Sequence, residues 1–93
     1  MILAIVEAGR AAAVRRDLVE LGAPGYTELA VAEGAGRTGV HRGDRVHPGA
    51  VELLFAMVAD ESAGAIFEGL VRRRDAARDE ISRFFLLPVE RQA

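Results

Sequence analysis

The chain has 93 residues, of which 51% are hydrophobic and 28% are charged. This composition is typical of one globular domain, here spanning residues 1–93, and excludes disordered, collagen-like and disulfide-stapled proteins. The net charge of −2 argues against general affinity for nucleic acid, and the absence of cysteine excludes thiolate sites. All twelve basic residues are arginine, which favours bidentate recognition of anions.

The first residues, MILAIVEAG, form too short an apolar stretch for a signal peptide or a membrane span. We therefore expect no direct membrane insertion and a cytoplasmic location.

The apolar run Ile2 to Val6 predicts a strand that is buried on both faces.

The spacing of apolar residues over Arg10 to Leu21 predicts a helix. Gly22 supplies a left-handed stop for this helix, and Pro24 prevents its continuation. The segment Tyr26 to Glu33 then predicts a second, shorter strand.

A third strand is predicted for Val51 to Ala59, another nearly continuous apolar run. Asp60 is predicted to cap a second helix, whose apolar stripe consists of Ala63, Ile66, Phe67, Leu70 and Val71. The charged residues 72–80 end that helix. Ser82 to Val89 predicts a last strand, which Pro88 places at a sheet edge or at a strand end.

The resulting order, β-α-β-β-α-β, predicts an α+β ferredoxin-like sandwich with a four-stranded antiparallel sheet and two helices on one face. In this arrangement the first and third strands are central, and they have the most continuous apolar character. The second and fourth strands lie at the edges.

Both faces of this predicted sheet are apolar. Ile2, Ala4 and Val6 alternate with Leu3 and Ile5 in the first strand. Two helices cover only one face, and leaving the other in water would forgo several kcal/mol at roughly 25 cal/mol per Å². The simplest cover is a second copy of the chain, so we expect an obligate homo-oligomer.

The segment Gly34 to Gly49 contains five glycines, three arginines and two histidines. A structureless connection of this length inside a compact domain is functional or disordered. We therefore expect the binding chemistry of the protein in this segment.

Gly34, Gly36 and Gly39, with Arg37 and Thr38 between them, are candidate ligands for an anion. Their backbone N–H groups and the Arg37 guanidinium suit a phosphate. They do not begin a helix, so they match neither the dinucleotide fingerprint nor the Walker pattern. The alternative interpretation is that the glycines only let a loop leave the sheet.

His41 and His47, with Asp44 between them, are candidate metal ligands, but their spacing matches no known metal site. Solvated loop histidines are the simpler interpretation, and we assign no metal. No constellation for nucleophilic or acid–base catalysis stands out, so we predict no enzyme and no catalytic residue. A small ferredoxin-like enzyme would have to use Glu7, Glu28, Glu33 or the histidines.

Four arginines, Arg72, Arg73, Arg74 and Arg78, follow the apolar stripe of the second helix. They are candidates for a phosphate contact. Because acidic residues are interleaved with them, a solvated helix end explains the segment well.

Several short motifs, taken in order, resemble the PII signal-transduction superfamily over nearly the whole chain, and its short PII-like members most closely. They are the helix end Leu21-Gly22, the strand start Gly25-Tyr26-Thr27, Gly34-x-Gly36-Arg37 at the start of the long loop, Asp60, and the close Leu87-Pro88-Val89-Glu90.

The resemblance implies a homotrimer of ferredoxin-like subunits with a long, flexible T-loop, about residues 34–49. It implies a small effector in the clefts between subunits, an adenine nucleotide with or without a second small anion, and no cofactor. Residues 72–83 lack the glycine and lysine that typical members carry before the last strand, which favours ADP or AMP as the effector.

The same resemblance assigns the effector site to Gly34, Gly36, Arg37, Thr38 and Gly39. The T-loop then regulates a partner protein, a membrane transporter or an enzyme. The partner-binding residues are those of the loop itself: Val40, His41, Arg42, Asp44, Arg45 and His47. The alternatives are a metal-binding ferredoxin-like trimer that uses the loop histidines, and a small ferredoxin-like enzyme.

Overall fold

The computed structural model describes residues 1–31 and 51–93 and the backbone of residues 33–36 and 39–42. Its strands are β1 (Ile2–Glu7), β2 (Thr27–Ala30), β3 (Glu33–Gly36), β4 (Gly39–Arg42), β5 (Val51–Ala56) and β6 (Arg83–Leu86). Its helices are α1 (Ala11–Glu20), preceded by a 3₁₀ turn at Ala8–Arg10, and α2 (Asp60–Ala76).

The main sheet has four antiparallel strands in the order β2-β5-β1-β6. The first and third predicted strands are therefore central, and the second and fourth are at the edges, as the apolar pattern indicated. This confirms the predicted ferredoxin-like sandwich.

The core lies between one face of this sheet and the two helices. Ile2, Val6 and Leu54 of the sheet are at most 1% exposed. They belong to one cluster with residues of α1 and α2, namely Val14, Leu18, Ile66 and Leu70. The predicted apolar faces of both helices thus point to the sheet.

The end of α1 follows the prediction. Gly22 has φ +107°, its N–H donates to Val19 O, and the Ala23 N–H donates to Leu18 O at 2.9 Å. This is a Schellman motif, which needs the left-handed residue that glycine supplies without strain.

The two helices also approach closely at Gly69. A Cβ placed on Gly69 would lie 2.6 Å from Leu21 Cδ2, so a side chain there would force Leu21 to move. Beside this contact, the Arg73 Nη1 of α2 donates to Asp17 Oδ1 at 2.9 Å and to Glu20 Oε1 at 2.7 Å on α1. Arg73 therefore bridges two helices, which differs from the expectation of a solvated helix end.

The prediction that Asp60 caps α2 is wrong. The N-cap is Ala59, whose backbone is extended, and its carbonyl accepts from Ser62 and Ala63 at 3.0 Å. Asp60 is already helical. Together with Glu61 it places negative charge in the first turn, where the helix dipole favours it.

The strands are shorter than their apolar runs. The second predicted strand ends at Ala30 rather than at Glu33, the third ends at Ala56, and the fourth spans only Arg83–Leu86. Apolar character continues beyond each strand end, and hydrophobicity alone does not report where backbone pairing stops.

The expectation of a structureless connection over Gly34 to Gly49 is wrong for its first part. The backbone of β3 pairs with β4 as a separate two-stranded antiparallel sheet, in which Gly36 is opposite Gly39. Backbone pairing needs no side chain, so the glycines that suggested a loop are compatible with a ladder.

The end of α2 repeats the Schellman geometry of α1 without a glycine. Arg78 has φ 55°, its N–H donates to Asp75 O, and the Asp79 N–H donates to Arg74 O at 3.1 Å. A left-handed non-glycine residue is strained.

Replacing Arg78 by glycine is therefore expected to raise the free energy of unfolding by about 0.5–1 kcal/mol, because relief of strain exceeds the added entropy of the unfolded chain. Urea unfolding followed by circular dichroism measures this change. Ala77→Gly is the matched control: Ala77 has φ −81°, so glycine there should lower stability by up to about 1 kcal/mol. A destabilised Arg78→Gly variant would contradict the argument.

Candidate functional site

The structure describes only part of the predicted effector site. The backbones of Gly34 and Gly36 lie in β3, and that of Gly39 lies in β4. Only two residues, Arg37 and Thr38, separate the paired Gly36 and Gly39 along the sequence, and these two lie outside the described residues.

The predicted partner-binding residues are divided in the same way. Val40, His41 and Arg42 belong by their backbones to β4. Asp44, Arg45 and His47 lie outside the described residues. The two histidines, and the metal site that they would form, thus stay a prediction. Among the residues that the structure does describe, no group of three or more potential metal-ligating side chains occurs.

An open pocket of about 350 Å³ lies where β1 ends and α2 gives way to β6. It is lined by Glu7, Arg10 and residues 77–81. Two arginines, Arg10 and Arg78, therefore border the same space, together with the acidic residues Glu7, Asp79 and Glu80. Analysis of the sequence missed this pocket, because Arg10 and Arg78 are far apart along the chain and the fold brings them together.

Asp79 lines this pocket and orders the turn beside it. Its Oδ1 accepts from the backbone N–H groups of Ile81 at 3.1 Å and Ser82 at 3.0 Å, and its Oδ2 accepts from Arg10 Nε at 3.4 Å. Burial alone would raise the pKa of Asp79, but the hydrogen bonds from Ser82, Ile81 and Arg10 outweigh it and lower that pKa. Asp79 is therefore an anion that shapes the turn and directs Arg10.

Arg83 also stabilises this turn, through hydrogen bonds to backbone carbonyl groups. Its Nη1 donates to Glu80 O and to Ser82 O, both at 2.9 Å. Residues 78–83 thus form a turn ordered by side-chain contacts, in the region where the sequence has neither glycine nor lysine. Of the arginines in this region, Arg74 is also engaged: its guanidinium carbon lies 5.8 Å from the centre of the Phe84 ring, within range of a cation–π contact.

The sheet face away from the helices is apolar, and the two helices leave it uncovered. Two rows of cross-strand partners run across it: Leu29, Leu53 and Ile5 form one row, and Phe55, Leu3 and Phe85 form the other. Leu29 is 51% exposed, Phe85 44% and Ile5 37%. A contiguous apolar face of this kind marks an interaction surface.

The glutamates that an enzyme would need are placed differently from one another. Glu7 borders the pocket, whereas Glu28 is held in an ion pair with Arg15. Glu33 lies in β3 by its backbone. Of the two glutamates whose side chains the structure describes, Glu7 lines the pocket and Glu28 does not. In the part of the chain that the structure describes, no helix has the length and apolar character needed to cross a membrane.

The fold has close counterparts among solved structures. The PII-like nitrogen regulatory protein CPII of Thiomonas intermedia K12, in a structure bound to ADP, AMP and bicarbonate, superimposes with a TM-score of 0.71 at 23% identity over 90% of this chain and 78% of CPII. A second CPII structure, bound to ADP and bicarbonate, gives a TM-score of 0.66 at 21% identity, with the same coverage of both chains.

A putative PII-like signalling protein of Thermus thermophilus is also similar, with a TM-score of 0.62 at 22% identity over 90% of this chain and 77% of that protein. No curated protein sequence matches the chain. The family model for nitrogen regulatory protein P-II matches residues 1–92, nearly the full length. The chain therefore belongs to the nitrogen regulatory protein P-II family.

Proposed function

We propose that this protein is a PII-like regulatory subunit that binds an adenine nucleotide, ADP or AMP, and signals its presence to a partner protein. The observation that carries the proposal is the P-II family match over residues 1–92. The similar CPII structures, which are bound to ADP and bicarbonate and in one case also to AMP, support this choice of effector.

The proposed site combines two parts of the chain. The first is the set predicted from the sequence, Gly34, Gly36, Arg37, Thr38 and Gly39, which would hold phosphate oxygens through the Arg37 guanidinium and through backbone N–H groups that the pairing of β3 with β4 does not use. The second is the pocket bordered by Arg10 and Arg78. Guanidinium groups suit nucleotide phosphates, and they take the place of the lysine that typical family members carry before the last strand.

The proposed assembly is a homotrimer. It would cover the apolar face of the sheet, which two helices on the other side leave open, and it would create clefts between subunits for the effector. Burial of an apolar side chain stabilises by about 1.5–3 kcal/mol. Burial of the two rows of residues on this face would therefore favour the association of subunits.

The proposed output is a change in residues 34–49. A ligand shifts a conformational equilibrium only by its differential affinity for the two states, so this segment must contact the effector in one state and not in the other. Val40, His41, Arg42, Asp44, Arg45 and His47 would then contact the regulated protein. This function needs no catalytic step.

Replacing Arg37 by alanine should weaken ADP binding by about 1.5–3 kcal/mol, the range for a hydrogen bond to a charged group. Titration calorimetry with ADP and AMP, with and without bicarbonate, measures the change, and size-exclusion chromatography checks that the oligomer persists. Arg16→Ala is the matched control, because Arg16 is exposed on α1. Equal affinity of the Arg37→Ala variant and the unaltered protein would remove Arg37 from the site.

Calorimetry with metal ions and an activity assay test the two alternative functions, a metal-binding trimer and an enzyme. Tight stoichiometric binding of zinc or copper that is lost on replacing His41 and His47 would favour a metal-binding trimer. Turnover of a substrate that is lost on replacing Glu7, Glu28 or Glu33 would favour an enzyme.

A further inference from the structure

Two acidic side chains meet on the helix-covered face of the main sheet. In the β2–β5 pair, Glu28 is opposite Leu54 and Ala30 is opposite Glu52. Glu28 and Glu52 are therefore diagonal neighbours on the same face of adjacent strands. That face is the buried one, since Leu54 is fully buried on it.

Among the described residues, one cation, Arg15, forms an ion pair with this pair of acids, through Glu28. The Arg15 Nη1 of α1 donates to both carboxylate oxygens of Glu28, at 2.6 Å and 2.9 Å. On the other side of Glu52, its Cα partner in β1 is the apolar and fully buried Val6. The charged groups that face Glu52 in the described part of the chain are thus Glu28 and Arg15.

One carboxylate oxygen of Glu52 lacks a hydrogen-bond donor among the described residues. Its Oε2 is buried and receives no hydrogen bond from any donor in the described part of the chain. Two carboxylates cannot hydrogen-bond to each other unless one of them carries a proton. A proton on Glu52 would let it donate to Glu28 and would reduce the cluster to one carboxylate paired with one guanidinium.

The electrostatics agree with this geometry. The hydrogen bond that a protonated Glu52 would donate to Glu28, burial, and the negative charge of Glu28 raise the pKa of Glu52, against the opposing effect of Arg15. When a carboxyl group is neutral in the folded state, its stabilising contribution is present at low pH and is lost as the pH rises through the raised pKa.

The position of the pair gives this proton a structural consequence. Glu28 lies two residues before β2 ends at Ala30, and Glu52 is the second residue of β5. We propose that Glu28 and Glu52 hold one proton between them, and that its loss as the pH rises weakens the pairing of β2 with β5. The pair lies in the two strands that border residues 31–50 along the chain, so the ends of β2 and β5 next to this segment become sensitive to pH.

Nuclear magnetic resonance of the glutamate carboxyl carbons tests the proposal directly, without nucleotide, from about pH 4 to about pH 9. Glu52 should titrate with a midpoint above that of glutamate in an unstructured peptide. In the Glu28→Gln variant this midpoint should fall, because the neighbouring negative charge is removed and an amide donor takes its place. An ordinary midpoint for Glu52 in the unaltered protein would overturn the proposal.

Amide hydrogen exchange tests the consequence for the strand. The quantity to follow is the protection of the β2 amides in the unaltered protein divided by their protection in the Glu52→Gln variant. This ratio should fall as the pH rises, because Glu52 loses its proton whereas the glutamine side chain stays neutral and keeps an N–H donor. Glu61→Gln is the matched control on the exposed side of α2, and the corresponding ratio for that variant should stay constant. A constant ratio for Glu52→Gln as well would show that the proton does not act on β2.

Discussion

A Leu3→Asp variant is expected to elute as single chains, whereas the unaltered protein is expected to elute as an oligomer. Leu3 lies at the middle of the uncovered sheet face, in the central strand β1, with Phe55 and Phe85 as its cross-strand partners. In an assembly that covers this face, an aspartate here would lose the burial of leucine, about 1.5–3 kcal/mol. It would also add the cost of burying an unpaired carboxylate, several kcal/mol.

These costs arise once in every subunit, so the assembly should weaken by at least about a thousandfold, since each 1.4 kcal/mol is a factor of ten. Light scattering coupled to size-exclusion chromatography at micromolar concentration measures the mass. Circular dichroism establishes that the single chain keeps its helices and strands.

Val19→Asp is the matched control for this experiment. Val19 is 58% exposed but lies on α1, away from the sheet face, so the same change of residue type should leave the oligomer intact. Phe85→Asp, at the edge strand β6, gives a second test should Leu3→Asp fail to fold. An oligomer that survives in both sheet-face variants would contradict the proposed assembly.

The second large effect is expected in the core. Leu54 is fully buried in the central strand β5 and belongs to the cluster that joins the sheet to both helices. Replacing Leu54 by alanine should lower the free energy of unfolding by about 2–5 kcal/mol, from lost transfer energy and from the cavity that remains. Because a small domain has only about 5–15 kcal/mol in total, this variant should be close to the limit of folding.

Urea unfolding at one fixed protein concentration measures this loss, since the stability of an oligomer depends on concentration. The control is Val19→Ala, at an exposed position, where a change of no more than about 0.5 kcal/mol is expected. A loss for Leu54→Ala as small as that of the control would show that the core is not organised around this strand.

Leu3 and Leu54 lie on opposite faces of the main sheet. Both residues are leucines in central strands. Leu54 packs against the helices of its own chain, whereas Leu3 faces away from them. Substitution of Leu54 should therefore act on folding, and substitution of Leu3 should act on association.

The sequence by itself determined the architecture of the main sheet. The nearly continuous apolar runs at residues 2–6 and 51–59 identified the central strands, and Gly22 identified the end of α1. These features depend on local periodicity and on backbone conformation, which neighbouring residues control. The apolar character of both sheet faces likewise followed from simple alternation along each strand.

Only the tertiary structure decided which distant charged residues meet. Arg10 reaches Asp79, Arg73 reaches Asp17, and Glu28 lies diagonally opposite Glu52 on one face of the sheet. Such contacts join residues far apart along the chain, so no local pattern reports them. The pairing of β3 with β4 was missed for a related reason: β3 alternates glycine with other residues and so shows no apolar side-chain alternation, and its ladder is held by backbone groups that every sequence carries.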